Sequence, residues 1–229
     1  MPRQQHPFTR PSNLRPPERL FLIATEGSIT EKRYFEAVQQ SFWQEGNGII
    51  QLVILPTPKK NGSSHPNAVF KRLQEAKQET RLNQQDAFWV VMDWDQWVDE
   101  HKLDMDAFVL KLKKHPRFFL AVSRPCFEFW LLLHLTDPEH LSEFEQKRLL
   151  ENPKVSSKKR YIDQLLGDFQ DANRGYNKRP YAQHYLKGLE DAMNRAKVLD
   201  YGSEEYPIHL GSHVYKLMEQ LFKVEQALR

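Results

Sequence analysis

Leu20-Phe21-Leu22-Ile23-Ala24-Thr25, followed directly by Glu26-Gly27, is the most informative segment of this 229-residue chain. Six successive residues without charge are typical of a strand covered on both faces, as in a parallel sheet. Downstream, Ser28 and Glu31 have the spacing of a helix capping box, and the apolar residues that follow recur at helical intervals. The segment therefore predicts a buried strand, a polar strand end and a helix.

The same pattern recurs along the first half of the chain. Apolar runs predict further strands at residues 49–55, 87–92 and 118–122, with helices from Pro66 to about Leu82 and over about residues 100–114. Strands that alternate with helices favour right-handed crossovers and a parallel sheet between helical layers. We therefore expect an α/β fold with about four parallel strands.

The second half of the chain indicates helices, and a different segment precedes the first strand. Helices are expected near 127–135, 141–150, 159–170, 181–198 and 212–228. We expect three parts: a flexible basic arm over 1–19, an α/β domain over 20–135, and a helical extension over 136–229 that completes this domain. Residues 151–180 form a lysine-rich segment within the extension.

Composition excludes several classes of protein. Forty per cent hydrophobic and twelve per cent aromatic residues indicate a folded chain rather than a disordered one. No apolar run reaches the roughly 20 residues of a membrane helix, and the start lacks a secretory signal, so we expect a soluble cytoplasmic protein. The single cysteine, Cys126, excludes an internal disulfide and a cysteine-based zinc cluster.

Charge is distributed unevenly. Residues 93–106 carry six acids against one lysine, whereas residues 147–187 carry ten Lys or Arg against four acids. An acidic centre followed by a basic stretch suits a metal site beside a surface that binds a polyanion. An unevenly solvated surface would show the same pattern.

Acidic side chains end two of the predicted strands. Glu26 ends the first, and Asp93 and Asp95 follow the third. Functional groups collect at the carboxyl ends of parallel strands. Like charges about 5 Å apart repel by roughly 3 kcal/mol at an effective dielectric near 20, so the cluster requires a retained proton or a cation. Oxygen ligands suit Mg²⁺ or Mn²⁺ and phosphodiester chemistry. Alternatively, Glu26 caps the next helix and the aspartates begin an exposed turn.

Several motifs resemble one known family. They are the run from Phe21 to Phe35 with Glu26-Gly27, Val90-Val-Met-Asp93-Trp-Asp95, the block Ser123-Arg-Pro-Cys126-Phe-Glu128-Phe-Trp130, Gly175-Tyr-Asn-Lys178, and His213-Val-Tyr215. Over about residues 20–225 the chain resembles RloB-like proteins, a Toprim-related group often found near restriction and phage-defence genes. The Ser-x-Pro-Cys-Phe-Glu-x-Trp block is the most specific of these motifs.

The resemblance implies a Toprim-like fold and a metal-dependent nuclease that acts in phage defence. It implies that Glu26 is a general acid or base, that Asp93 and Asp95 are metal ligands, and that Glu128 completes a two-metal site. The Gly-Asp that usually follows the second Toprim strand is missing, which argues against topoisomerase or primase activity. The chain has no P-loop, so we expect a separate AAA- or ABC-type ATPase partner, and self-association is a further expectation.

Nucleic acid is the expected partner, and two groups of residues are candidates for binding it. Ser123 and Arg124 precede a helix start that suits phosphate. The basic stretch offers charges for the sugar-phosphate backbone, although a solvated helix face would look the same. Its candidates are Lys158, Lys159, Arg160, Lys178 and Arg179.

Two other functions remain open from the sequence. One is a Toprim-fold module that binds nucleic acid or regulates without catalysis. The other is an enzyme that acts on tRNA or on small nucleotides. Trp94 and Trp97 beside the acidic residues would stack a base or cover a sheet edge.

Overall fold

The computed structural model describes residues 19–45, 50–57, 64–79, 83–157, 159–170, 182–201 and 205–228. Three predicted nucleic-acid contacts, Lys158, Lys178 and Arg179, lie outside these residues, as does the predicted arm apart from Arg19. Among the described residues, no helix combines the length and apolar character needed to cross a membrane.

A single five-stranded sheet organises the fold, in the order β2-β1-β3-β4-β5. Neighbouring strands β2-β1, β1-β3 and β3-β4 are parallel, and β5 pairs antiparallel with the end of β4. The expected α/β sheet is confirmed, with a fifth strand that was not predicted. The strands are β1 Arg19–Thr25, β2 Ile50–Leu55, β3 Ala87–Asp93, β4 Phe118–Arg124 and β5 Gly211–Ser212.

Helices cover both faces of the sheet. The first half contributes α1 Thr30–Glu45, α2 Pro66–Glu79, a π-helical turn Asp95–Glu100 and α3 Met105–Lys113. The second half contributes α4 Phe127–Leu133, a 3₁₀ turn Pro138–His140, α5 Glu143–Glu151, α6 Tyr161–Gln170, α7 Gln183–Leu186, α8 Leu189–Val198 and α9 Val214–Leu228.

Alternate residues of the central strands enter two separate cores. Phe21 and Trp89 point into a core that they share with α1 and the C-terminal helices. Leu22 and Phe88 point into a second core formed with α2 and α3. Every strand residue from Leu20 to Thr25 is buried, as the uninterrupted apolar run predicts. The C-terminal helices thus pack on the sheet itself.

The boundaries of three predicted elements were wrong. The helix expected over 100–114 is divided, because Asp104 caps a new helix and accepts a hydrogen bond from Ala107 N at 3.0 Å. The helix expected over 181–198 is divided between α7 and α8. Strand β4 runs two residues further than predicted, so Ser123 and Arg124 end a strand rather than precede a helix directly.

Strand order also defines where the chain changes direction across the sheet. β1 lies between β2 and β3, so the connection after β1 runs to one side and the later connection to β3 runs to the other. Ligands of open α/β sheets bind outside the carboxyl ends of the strands at such a switch point. Glu26 and Asp93 stand at the ends of the two strands that flank it.

Candidate active site

Glu26 connects the ends of β1 and β3. Its main-chain N–H donates to the Val91 carbonyl at 3.2 Å. Its carboxylate Oε2 accepts from the Asp93 main-chain N–H at 3.0 Å and from the indole N–H of Trp97 at 2.5 Å. Only 6% of the residue is exposed. Both donors point at Oε2, so a proton carried by this carboxyl group is placed on Oε1.

Asp93 connects the sheet to the start of α4. Its Oδ1 accepts from the Phe127 N–H at 2.7 Å. The next residue of α4, Glu128, is only 8% exposed. An acid in the first turn of a helix is also favourable with the helix dipole, which is a purely structural reason for Glu128. The structure adds that Glu128 and Asp93 line the same cavities.

Asp95 belongs to the π-helical turn rather than to an extended strand end. Its Oδ1 accepts from the Gln96 N–H at 2.7 Å, and its main-chain N–H donates to the Pro125 carbonyl at 3.0 Å. The turn therefore fixes Asp95 against the junction between β4 and α4. π-Helical turns are rare and occur frequently at functional sites.

Two adjoining cavities share a wall formed by Asp93, Gln96 and Glu128. One, of about 260 Å³, lies on the Glu26 side. The other, of about 150 Å³, lies on the Asp95 side. Glu26 and Asp95 thus face different cavities, with Asp93 and Glu128 between them. The second cavity is completed by residues that the sequence did not suggest, namely Glu100, Cys126, Asn152 and Asp163, together with Arg160.

Burial and mutual repulsion raise the pKa values of the acids. Desolvation is the largest cause for Glu26, whose pKa rises to about 8, with Glu31 and Asp95 adding repulsion. Desolvation also raises the pKa of Asp93 well above its usual range, reinforced by Glu26, Glu31 and Glu128. The pKa of Asp95 rises to about 6, mainly through burial. Each shift favours the protonated carboxyl group, whereas a bound cation would favour the charged one.

Glu31 is an acid of the site whose position the capping-box prediction did not anticipate. Its Oε1 accepts from the Gly27 N–H at 3.0 Å, one residue before the predicted partner Ser28. The residue is 6% exposed and lines the cavity of Glu26. A side chain on Gly27 would place its Cβ 2.1 Å from Glu31 Oε2, so any larger residue there would displace the Glu31 carboxylate.

The chemistry of the donors fits a small hard cation. Glu26, Asp93, Asp95 and Glu128 offer carboxylate oxygens in a largely desolvated setting, which suits Mg²⁺ or Mn²⁺. No group of three or more His, Cys, Asp or Glu side chains within the described ranges is arranged to hold a metal ion. Mg²⁺ typically uses one or two carboxylates with water and phosphate oxygens, so a preassembled cage is not required.

The described residues that were predicted to bind nucleic acid do not lie together. Ser123 is buried and shares a hydrogen bond of 2.8 Å with Ser212 Oγ. The guanidinium of Arg124 lies 4.3 Å from the Trp94 ring centroid and donates to the Ile208 carbonyl. Neither lines the two carboxylate cavities, whereas Arg160 does. Lys159 neighbours Arg160 in the same turn but does not line either cavity.

The tryptophans and Cys126 have local structural partners. Trp97 is 5% exposed and its N–H is bonded to Glu26, so it covers the site rather than offering a face to a base. Trp94 is 9% exposed and packs under Arg124. Burial and the nearby acids raise the pKa of the Cys126 thiol, which keeps it protonated and unsuited to nucleophilic attack.

Comparison with known proteins gives one result. The model of the family described as RloB-like protein matches residues 21–221. Neither the curated proteins nor the solved structures gave a match to the chain. The matched range includes every described element from β1 to α9 in whole or in part.

Proposed function

The chain belongs to the RloB-like protein family, and on this premise we propose that it hydrolyses phosphodiester bonds of nucleic acid with the help of Mg²⁺ or Mn²⁺. The observation that carries the proposal is the placement of Glu26 and Asp93 at the two strand ends that flank the switch point, with Glu128 sharing the cavities of Asp93. Structural acids are ordinarily compensated by donors or cations from the same chain. Glu26, Asp93 and Glu128 accept hydrogen bonds or neighbour one another in a cavity that has no cation among its described lining residues.

Glu26 has a different role in the proposed reaction from the other three acids. Glu26 carries or accepts a proton at Oε1 while its Oε2 is held by Asp93 N and Trp97 Nε1. Asp93, Asp95 and Glu128 would hold the cation, with Asp93 and Glu128 facing both cavities. A bound cation neutralises the reacting phosphate and lowers the pKa of water. The walls of the site exclude bulk water from the Glu26 carboxyl group.

The biological setting is part of the same proposal. Resemblance to a family whose genes are often found near restriction and phage-defence genes supports a nuclease that acts against infecting nucleic acid in the cytoplasm. The sequence contains no P-loop, so ATP-dependent control would come from a separate ATPase. Self-association of the chain remains a prediction.

A cleavage panel tests the function directly. Labelled double- and single-stranded DNA, tRNA and cyclic oligonucleotides are incubated with the purified chain, with Mn²⁺ or with EDTA. We expect Mn²⁺-dependent cleavage of at least one polymer. Asp93→Asn should abolish it, while the amide oxygen can still accept from Phe127 N.

The same panel separates the two alternatives. Salt-dependent binding without Mn²⁺-dependent turnover would identify a non-catalytic module. Turnover of tRNA alone or of cyclic oligonucleotides alone would identify the narrower enzyme. Equal cleavage by wild type and Asp93→Asn would refute the assignment of Asp93.

A further inference from the structure

Arg160 is the only cation among the described residues that line the cavity of Asp95. Arg160 thus shares this cavity with Asp93, Asp95 and Glu128, and its charge opposes the rise that burial causes in the pKa of Asp95. The basic character of the surrounding segment suggested only a general backbone contact. Of the two described candidates from that segment, Lys159 and Arg160, only Arg160 lines the cavity that contains Asp93 and Asp95.

The main chain of Arg160 is firmly anchored. Asn152 adopts a left-handed conformation with φ of 41° and accepts from the Ile162 N–H at 3.0 Å. Lys154 and Arg160 form an isolated antiparallel bridge. The Arg160 N–H donates to Asp163 Oδ2 at 2.9 Å. Asn152 Nδ2 also contacts Cys126 Sγ at 3.5 Å, which attaches this turn to the junction before α4.

The guanidinium is held much less firmly. It donates to the Glu100 carboxylate and to the Asn152 carbonyl, each at 3.3 Å. Charge-assisted N–H···O bonds are usually about 2.7–2.9 Å, so both contacts are long. The two side chains of the ion pair are 35% and 56% exposed, and exposed pairs contribute only about 0–1 kcal/mol. Such a contact exchanges readily for a better anion.

A phosphodiester needs a cation at this position. The same cavity is lined by Asp93, Asp95, Glu100, Glu128 and Asp163, which repel an approaching phosphate. A guanidinium offers paired N–H donors that match two phosphate oxygens. Because its main chain is fixed and its present partners are weak, Arg160 can turn to a phosphate without a change of fold.

We propose that Arg160 binds a phosphodiester of the nucleic-acid substrate at the mouth of the Asp95 cavity, and that Glu100 holds its guanidinium when no substrate is present. This inference rests on the proposed function for the identity of the substrate. It adds a phosphate-binding position contributed by the C-terminal helical region and a competing acid that limits binding.

Binding without turnover provides the test. Affinities of the full chain for labelled single-stranded DNA and RNA are measured in EDTA by fluorescence anisotropy at several salt concentrations. Arg160→Gln should weaken binding about tenfold, as expected for loss of a charge-assisted hydrogen bond. Its salt slope should fall by about one. Glu100→Gln should tighten binding about two- to fivefold because it removes a weak competing pair.

Two matched controls separate the local contact from general charge. Lys159→Gln removes a cation from the same turn, and Glu143→Gln removes an exposed acid from α5. Lys159→Gln should change affinity less than Arg160→Gln, and Glu143→Gln should change it less than Glu100→Gln. In the double variant, where Arg160 is absent, Glu100→Gln should give a smaller gain than it gives in the wild-type chain, because only the repulsion between Glu100 and the phosphate is then relieved. An equal gain in both backgrounds, equal effects of Lys159→Gln and Arg160→Gln, or no binding by wild type would each overturn the inference.

The proposed function and this inference can fail separately. Expected binding behaviour without Mn²⁺-dependent cleavage would leave the phosphate contact standing and remove the nuclease. Cleavage by Arg160→Gln at wild-type rate and affinity would leave the nuclease standing and remove the phosphate contact.

Discussion

Two aspartates flank strand β3, a buried one before it and a half-buried one at its end, and the two are compensated in opposite ways. Asp86 precedes the strand and is 1% exposed. Its two oxygens accept from the main-chain N–H groups of Leu20 at 2.8 Å and Asn83 at 2.6 Å. Burial lowers the pKa of Arg19, and the nearby charge of Asp86 opposes this shift. Asp86 is therefore an acid whose charge is satisfied within the chain.

Asp93, at the other end of the strand, accepts from Phe127 N and is surrounded by acids. A desolvated charge without compensation costs several kcal/mol, so Asp93 either keeps a proton or requires a cation. The contrast teaches that burial of an acid does not by itself indicate function. What distinguishes the two aspartates is the charge of the side chains around each of them.

The largest expected difference between the two ends is in activity. Asp93→Asn should reduce Mn²⁺-dependent cleavage by about a thousandfold or more, since it removes a proposed ligand. Asp86→Asn should leave the cleavage rate of the folded protein unchanged, because Asp86 is at the opposite end of the sheet. Rates for both variants are compared at matched folded concentrations. A comparable loss in Asp86→Asn would contradict the division between the two ends.

The second difference is in stability, where substitution of Asp86 should be the more damaging of the two. Asp86→Ala removes the acceptor of the buried Leu20 N–H and of the more exposed Asn83 N–H, and it should lower the free energy of unfolding by about 1–3 kcal/mol. Asp93→Asn in EDTA should raise Tm, because a neutral amide ends the repulsion from Glu26 and Glu128. Thermal unfolding of both variants at pH 8 measures this. Destabilisation by Asp93→Asn would show that its charge is compensated after all.

The third expectation concerns pH. The pKa of Glu26 is raised from 4.5 to about 8 and that of Asp95 from 3.8 to about 6 in the folded protein. The folded state therefore binds more protons than the unfolded state in this range, so metal-free stability is greatest at low pH and falls as pH rises towards 8. Glu26→Gln should flatten the fall between about pH 6 and 8. Glu143→Gln should not. A wild-type stability that rises over this range in EDTA would contradict the assignment.

The strand ends were predictable because their signal is local and repeated. Uninterrupted apolar runs indicated β1 and β3, and parallel-sheet geometry then brought Glu26 and Asp93 to one edge. The two residues of β5 are too few to show a pattern. The π-helical turn was missed because its spacing depends on the contacts of Trp94 and Asp95 with Pro125 rather than on a repeat of its own.

Residues that enter the site from elsewhere were not predictable in the same way. Glu31 has the spacing of a capping box, and a glutamate that only caps a helix would occupy the same sequence position. Its place in the cavity, beside Gly27, is visible only in the structure. Arg160 and Asp163 reach the site through a turn fixed by Asn152 and Cys126, residues far apart in sequence. The charge pattern identified a basic segment but not which of its members meets the acids.

The smallest effect concerns how Glu26 is oriented. Trp97→Phe keeps most of the packing of a 5% exposed side chain but removes the N–H that donates to Glu26 Oε2. Since this bond favours the charged carboxylate, its loss should raise the pKa of Glu26 further. We expect kcat to fall about tenfold, as for one lost hydrogen bond to a charged group, with KM unchanged and the acidic limb of the pH–rate profile moved to higher pH. Trp94→Phe, which removes an N–H bonded to Asp99 instead, is the matched control. If both variants lower kcat equally without moving the pH profile, Trp97 supports the fold alone and does not position Glu26.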